Sequence, residues 1–283
     1  IKQRKLYMAL IIENIVDIII YKKGSEKMRF SIQLRFDSPK NDPIKLGISY
    51  QAAFLHLLKT GLSHTDQELF DQLYKKNTSK LFSLAVYFPQ ASFSKSSVTL
   101  GPQNNAYWQF STADSRLALV FYNAFTYLFQ QGPWSYNKFL KVNFSSPRLI
   151  KEAVIITNLI KVKTVSPLVV RQDNHLFLSG TKDSDLDNFN SVLQGNMLSR
   201  FKDHYSESIC NLIKDLEYTP INVRKTVVKS FSINVEATVG TFILRADPIL
   251  LNLVLKNGLG IRTGSFSGFL EYLGGETSGA RND

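Results

Sequence analysis

The chain has 283 residues, 44% of them hydrophobic, enough for two ordinary domains with real cores, which excludes wholesale disorder. It carries 34 Lys and Arg against 23 Asp and Glu, a formal charge of +11, and that balance favours a polyanionic partner, nucleic acid or an anionic surface. Its single cysteine, Cys210, excludes an internal disulfide, a multi-cysteine zinc site and an iron–sulfur cluster.

A reduced, cytoplasmic setting fits that cysteine usage, and Cys210, within "SICNLIKDL", reads as a small core residue. No cofactor or metal is expected, and no membrane association. Residues 1–27 contain the greasy stretch "MALIIENIVDIIIYKK", but Glu13 and Asp17 interrupt it and it is too short to span a bilayer. It also lacks the small-residue cleavage site of a signal peptide. The segment is expected to be peripheral or appended, with the fold starting at Met28.

From Met28, Phe30, Ile32, Leu34 and Phe36 alternate as in a half-buried strand. After the turn "DSPKNDP", "SYQAAFLHLLKTGL" has helical spacing, and "TDQELFDQLYKK" is a second short helix that Thr65 or Asp66 can cap. "KLFSLAVYF" and "AYWQFST" read as strands, "ADSRLALVFYNAFTYLFQQ" as a long helix, and "YNKFLKVNF" as a closing strand. "SSPR", 145–148, is a linker signal.

Beyond it, "EAVIITNLIKVKTVSPLVVRQ" reads as one bent or two adjoining strands, and a helix is expected around 184–204. "VRKTVVKSFSINV" and "GTFILRA" read as two more strands. Asp247-Pro248 then makes an N-cap and first-turn proline for the helix "PILLNLVLK", with Gly258 as its stop and a last strand near 266–273. Both halves thus read β-α-β-β-α-β. That predicts an α+β protein of tandem ferredoxin-like (RRM-like) domains, 28–147 and 148–275, with residues 276–283 a solvated tail.

"GLGIRTGSFSGF", 258–269, puts four glycines into eleven positions. It is not a dinucleotide fingerprint: Thr263 stands where the third glycine is needed, and the loop follows a helix rather than a strand. No Gly-Lys-Ser/Thr ends it, so it is not a P-loop. Its amides, with Gly258, Gly260, Gly264, Gly268, Ser265, Ser267 and Arg262, are expected to line a phosphodiester backbone that glycine lets come close.

Here the sequence resembles the CRISPR-associated repeat-processing endoribonucleases of the Cas-six type. Gly258, Leu259, Gly260, Phe266, Gly268 and Phe269 match their C-terminal glycine-rich loop, with Leu270 in place of the final glycine and Ser267 as an added position. Thr164, Val165, Ser166 and Pro167 resemble the family's Thr-φ-Ser-Pro strand, and "MRFSIQLRF" with the following helix pair and Lys-Leu-Phe strand resembles its N-terminal half. The resemblance, over about Met28 to Leu273, implies a partner, CRISPR repeat RNA, and its cleavage into guide RNAs. It implies metal-independent attack by the RNA's own 2′-hydroxyl, leaving a cyclic phosphate and a 5′-hydroxyl. Effector-complex proteins and a homodimer are further partners it allows.

Many members place a histidine after the second short helix, where this chain has Leu73-Tyr74. Lys80 matches a lysine used in some members, and Lys59 falls near a helical tyrosine position. The candidate catalytic set is Lys80, Tyr74, His56 and Lys59, with Lys80 stabilising charge and Tyr74 and His56 as proton-transfer candidates. His64, His175 and His204 read as bland. On the second-half strands Lys161 and Lys163 share one face, as do Lys225 and Lys229, and these are the expected phosphate contacts. Two other readings stay open, a noncatalytic RNA-binding relative and a ferredoxin-like structural subunit of a CRISPR effector complex.

Overall fold

The computed structural model describes residues 28–39, 43–76, 78–173, 176–230 and 233–275. The expectations for 1–27, 276–283 and His175 lie outside the described residues. The alternation after Met28 becomes strand β1 (Arg29–Asp37), with Phe30, Ile32, Leu34 and Phe36 buried on one face. β1 is the inner strand of the first sheet. It pairs antiparallel with β6 (Asn105–Thr112) on one side and with β8 (Lys141–Phe144) on the other, and β6 pairs with β3 (Phe82–Tyr87). β7 (Trp134–Ser135) pairs with β8 at the sheet edge, and β9 (Arg148–Leu149) pairs with β1 itself.

Helices α1 (Tyr50–Thr65), α2 (Gln67–Tyr74) and α3 (Ser115–Gln130) belong to this half. Aspartate starts two of them: Asp66 Oδ1 accepts from the Leu69 amide and Asp114 Oδ1 from the Leu117 amide, satisfying amides that a helix start leaves without partners. The core beneath is aromatic. Phe110 stacks on Phe121 at 4.3 Å between centroids, and Trp108 meets Phe125 edge-on at 4.7 Å.

The second half repeats the plan. β13 (Glu217–Ser230), β14 (Ile233–Arg245), β10 (Leu159–Thr164) and β15 (Leu270–Gly275) form an antiparallel sheet in that spatial order. In each half the first strand lies between the third and the last, and the second lies outside the third, which is the ferredoxin-like order. α4 (Leu186–Phe201) and α6 (Pro248–Asn257) are started by Asp185 and Asp247, which accept from the Asn188 and Ile249 amides. Gly258 ends α6 at φ +81°, as expected of a stop glycine. Cys210, on the short helix α5 (Glu207–Leu212), is a buried core residue.

Several expected elements are redrawn. "VRKTVVKSFSINV" is not one strand: it crosses from β13 into β14, and "GTFILRA" is the end of β14, so the two expected strands are parts of a single long hairpin. The stretch 223–235 holds no glycine to mark a division. β10 starts only at Leu159, and a small sheet of β2 (Lys45–Gly47), β5 (Ser97–Thr99) and β4 (Ser92–Phe93) was not foreseen. α5 was also missed, and β15 begins at Leu270 rather than near 266. A short pair, β11 (Val170–Arg171) and β12 (Phe177–Leu178), completes the described strands.

The halves interlock through the glycine loop. Phe266 leaves the second half and is buried in the first-half core, 6.1 Å from Trp108. It does so in the left-handed region, at φ 63°, ψ 49°, which costs a non-glycine residue about 1–2 kcal/mol. Burial of a phenylalanine side chain returns about 1.5–3 kcal/mol. Phe266→Ala should therefore destabilise the protein by about 3–5 kcal/mol in denaturant unfolding, whereas Leu176→Ala, at an exposed position, should stay within about 0.5 kcal/mol.

Candidate active site and nucleic-acid interface

Three of the four candidate catalytic residues converge. Lys59 on α1 sets its ammonium 4.7 Å from the centre of the Tyr74 ring, and Lys80, just before β3, sets its own at 5.2 Å from the same ring. A cation over a ring face is attracted by the ring's quadrupole, so Tyr74, at the end of α2, draws the two lysines together. Burial lowers the proton affinity of Lys80, and the facing charge of Lys59 lowers it further.

The Tyr74 hydroxyl is buried without a hydrogen-bond partner, and burial raises its pKa. This corrects the expectation that Tyr74 transfers protons: no solvent or neighbour reaches the oxygen, and the ring is what contacts the lysines. His56 lies on the exposed side of α1, three residues before Lys59 and therefore beside it on the helix surface. Its carbonyl accepts from Thr60 Oγ1 at 3.2 Å. No described contact joins its ring to the other three.

The glycine loop borders this cluster. A short 3₁₀ turn, Thr263–Ser265, follows Arg262, and Gly264 lies under the Lys80 chain. A Cβ at Gly264 would sit 2.6 Å from Lys80 Cδ and 3.0 Å from Phe82 Cζ. Glycine here makes room for the candidate catalytic lysine.

The other glycines face the protein itself. A Cβ at Gly258, φ +81°, would meet Ser83 Cβ at 2.8 Å, one at Gly260 would run into the Val169 carbonyl, and one at Gly268 into the Leu259 carbonyl. Gly258, Gly260, Gly264, Gly268 and Ser267 are all buried, and Ser267 Oγ donates to the Pro167 carbonyl at 2.7 Å. The Gly268 amide donates to the same carbonyl, and the Phe269 amide donates to Ser166 Oγ. These five residues were expected to line a phosphodiester backbone; the close approach they make here is to the chain's own carbonyls and side chains. Ser166 and Pro167 of the Thr-φ-Ser-Pro stretch are the platform that holds them.

What the loop presents outward is Ile261, Arg262 and Ser265, each partly exposed. Arg262 takes a left-handed conformation, φ 59°, and its guanidinium lies 5.6 Å from the Phe177 ring centre. Burial lowers its pKa, and nearby Arg171 adds to the effect. Ser265 and Phe266 share a small hollow with Ser49, Leu55 and Lys229, so the end of the β13–β14 hairpin reaches over to α1. The hairpin rests on Val169, Phe177 and Ile261 through Val228, Val235 and Ala237.

Of the other expected phosphate contacts, Lys161 and Lys163 are exposed on β10. Lys163 lines a cleft of about 470 Å³ between the halves, together with Arg29, Lys151, Glu152, Lys256 and Glu271. Arg29 is half-buried there, donates to the Leu255 carbonyl at 2.8 Å and lies 4.5 Å from the Phe269 ring centre. Lys225 is ion-paired with Glu236 across the hairpin, so its charge is partly neutralised. Sequence reasoning passed over Arg29, because a basic residue opening an alternating strand carries no mark of burial.

Gly260→Ala and Gly268→Ala should cost stability, about 1–3 kcal/mol each at a strained position with no room, with RNA affinity per folded molecule little changed. Arg262→Ala should weaken RNA binding and leave thermal unfolding near wild type. Tyr74→Phe should be neutral or slightly stabilising, since it removes a buried hydroxyl that has no partner. Thermal unfolding and a binding titration on each variant check all three.

Residues 150–272 match the family model described as CRISPR associated protein Cas6, C-terminal. No curated protein matches the chain by sequence. Among solved structures the chain is similar to a RAMP protein described as binding different RNA substrates, at 14% identity and TM-score 0.69, covering 87% of this chain and 99% of that one. It is similar to a Cas6-related protein of Pyrococcus furiosus at 12% identity and TM-score 0.67, covering 87% and 98%. A Cas6 product complex is similar at 17% identity and TM-score 0.59, covering 87% and 100%. At such identities the likeness to the solved structures is one of fold. Residues 150–272 thus match a Cas6 C-terminal domain, and the chain's resemblance to the Cas6-type CRISPR repeat-processing proteins extends from its glycine loop to its whole fold.

Proposed function

We propose that this chain binds CRISPR repeat RNA and cuts precursor transcripts into guide RNAs, using the RNA's own 2′-hydroxyl and no metal. The observation that carries the reading is the convergence of Lys59 and Lys80 on the Tyr74 ring beside the glycine-loop turn. The domain division at about residue 148 and the cytoplasmic setting belong to the same reading.

In the reaction the 2′-oxygen bonds to phosphorus as it loses its proton, and the bond from phosphorus to the 5′-oxygen breaks as that oxygen gains one. Two lysines side by side suit these demands. Their mutual repulsion favours a state with one neutral amine and one ammonium. Lys80, the more desolvated, takes the 2′-hydroxyl proton as the neutral amine. Lys59 as ammonium offsets the phosphorane charge and supplies a proton to the leaving oxygen. His56, beside Lys59 on α1, is the remaining proton-transfer candidate. Tyr74 orients the lysines through its ring.

The RNA track follows the exposed charge. Arg262, Ser265 and Lys229 border the site, and Lys161 and Lys163 lead along β10 into the basic cleft. Lys225 contributes less because Glu236 shares it. Each phosphate contact removed should shallow the salt dependence of binding by about 0.7 in log–log slope for single-stranded RNA.

A second reading, RNA binding without turnover, is favoured by the buried Tyr74 hydroxyl at the position where many relatives have histidine. One experiment separates the two. Purified protein incubated with its cognate repeat RNA in EDTA should yield a 5′-hydroxyl and a cyclic phosphate. Tight binding with no product would favour the noncatalytic relative. Lys80→Ala should slow single-turnover cleavage by roughly 10²–10⁴-fold with little change in affinity. Tyr74→Phe should cleave like wild type, because the ring survives, and Tyr74→Ala should not. Lys80 must lose its proton to act and its pKa is lowered, so the rate should rise with pH and level off below the range of an ordinary lysine.

A further inference from the structure

Arg200 is the least expected charge in the structure. It sits one residue from the end of α4, 6% exposed, with no carboxylate beside it among the described residues. Its Nη donors all end on neutral acceptors, while the buried Nε has no hydrogen-bond partner. Nη1 donates to the carbonyls of Gly260 at 2.6 Å and Gly258 at 3.2 Å. Nη2 donates to those of Asn257 at 2.8 Å and Lys80 at 3.3 Å. Met197 Sδ, one turn back on α4, lies 3.7 Å from Nη1 and also accepts from the Gly260 amide at 3.3 Å.

A buried guanidinium without a counter-ion is costly, and burial pushes its pKa down to about 10. What offsets the cost is the end of α6. Asn257 is its last residue and Gly258 its cap, so their carbonyls carry the negative end of the helix dipole. Dipole compensation alone would be served by Asn257 and Gly258. The bonds to Gly260 and Lys80 do something more: they tie the glycine loop to the backbone of the residue whose side chain crosses Gly264. Thr263 Oγ1 donates to the same Lys80 carbonyl at 3.5 Å, so that carbonyl is held from two directions.

We propose that Arg200 is a positioning residue, which sets the Lys80 ammonium against Lys59 and Tyr74 by clamping the Lys80 carbonyl to the glycine loop. The proposal rests on the reading of Lys80 as catalytic, but its geometry does not require turnover. A planar fork is needed because four carbonyls approach from different sides. A lysine in its place has three hydrogens on one nitrogen and cannot span them. The groups facing Lys80 are Lys59 from α1, Tyr74 from α2 and the Arg200 fork from α4. The loop turn brings only uncharged Thr263 and Gly264, and β3 brings Phe82.

The test compares wild type with Arg200→Lys, which keeps a cation at the end of α6, and with Thr263→Val, which removes the second clamp and keeps the volume. Single-turnover cleavage, equilibrium binding of repeat RNA and the pH–rate profile are measured on the folded fraction. In parallel, competitive acylation followed by mass spectrometry reads the titration of Lys80 with no RNA present. Arg200→Lys should cleave about 10–100-fold more slowly with affinity within about threefold of wild type. Its rising pH limb and the Lys80 acylation midpoint should both move toward ordinary lysine. Thr263→Val should shift both in the same direction by less. A merely structural arginine would lower thermal stability while leaving the pH limb and the acylation midpoint of the folded molecules in place, and that result would overturn the proposal. If Arg200→Lys fails to fold, an unmoved Lys80 midpoint in Thr263→Val overturns it equally. If wild type binds but does not cut, the catalytic reading fails, and a shifted acylation midpoint in the variants still supports the clamp.

Discussion

The loop 258–269 is packed on both sides by protein, and the arrangement of the two halves depends on that packing. Its glycines lie against the Val169 and Leu259 carbonyls and the Ser83 side chain, where any Cβ would collide. Its amides are paired with Val169, Pro167 and Gly268, or with Ser166. Phe266 then carries the loop into the other core. A ferredoxin-like unit has one open sheet face, so two units in tandem need a device that fixes their relation. Here it is a segment of the second unit used as core by the first, at the strand that follows Lys80.

Electrostatics follows from the same seam. A protein with a formal charge of +11 must keep its cations apart or pair them, yet three are brought into partly or fully buried surroundings where the halves meet: Arg29, Lys80 and Arg200. Each is stabilised by something other than a close carboxylate contact. Arg29 has the Phe269 ring and the Leu255 carbonyl, with Glu152 and Glu271 acting at longer range. Lys80 has the Tyr74 ring, and Arg200 has four carbonyls. Lys80, held by a ring and only partly buried, keeps its charge for an incoming polyanion, whereas a salt bridge would have cancelled it. Lys225 shows the contrast, exposed yet shared with Glu236.

Much of the architecture was legible because its signals are local. Asp66 and Asp247 announce helix starts, Gly258 announces a stop, and the Phe30–Phe36 alternation announces a half-buried strand. The β13–β14 hairpin was misread because 223–235 holds no glycine or proline to divide it. The cluster of Lys59, Tyr74 and Lys80 could be proposed because all three lie within 22 positions of one another and resemble a known pattern. Arg200 could not: in sequence it is one more basic residue in the last turn of a helix, where cations are commonplace.

Residue order alone determined what depends on period and backbone preference: where helices begin, which faces of strands are apolar, that the two halves share one plan, and that the glycine loop is special. It could not determine what the glycines are close to. Absence of a side chain states only that space is needed, and the same four glycines would serve an RNA backbone or the protein's own. Burial, direction and partner are properties of atoms far apart in the chain, as when Arg200 meets Lys80 across 120 positions. The tertiary structure therefore decided that the loop's glycines face inward, that the Tyr74 hydroxyl is closed off while its ring is in use, and that Lys80 lies where two halves and four elements meet.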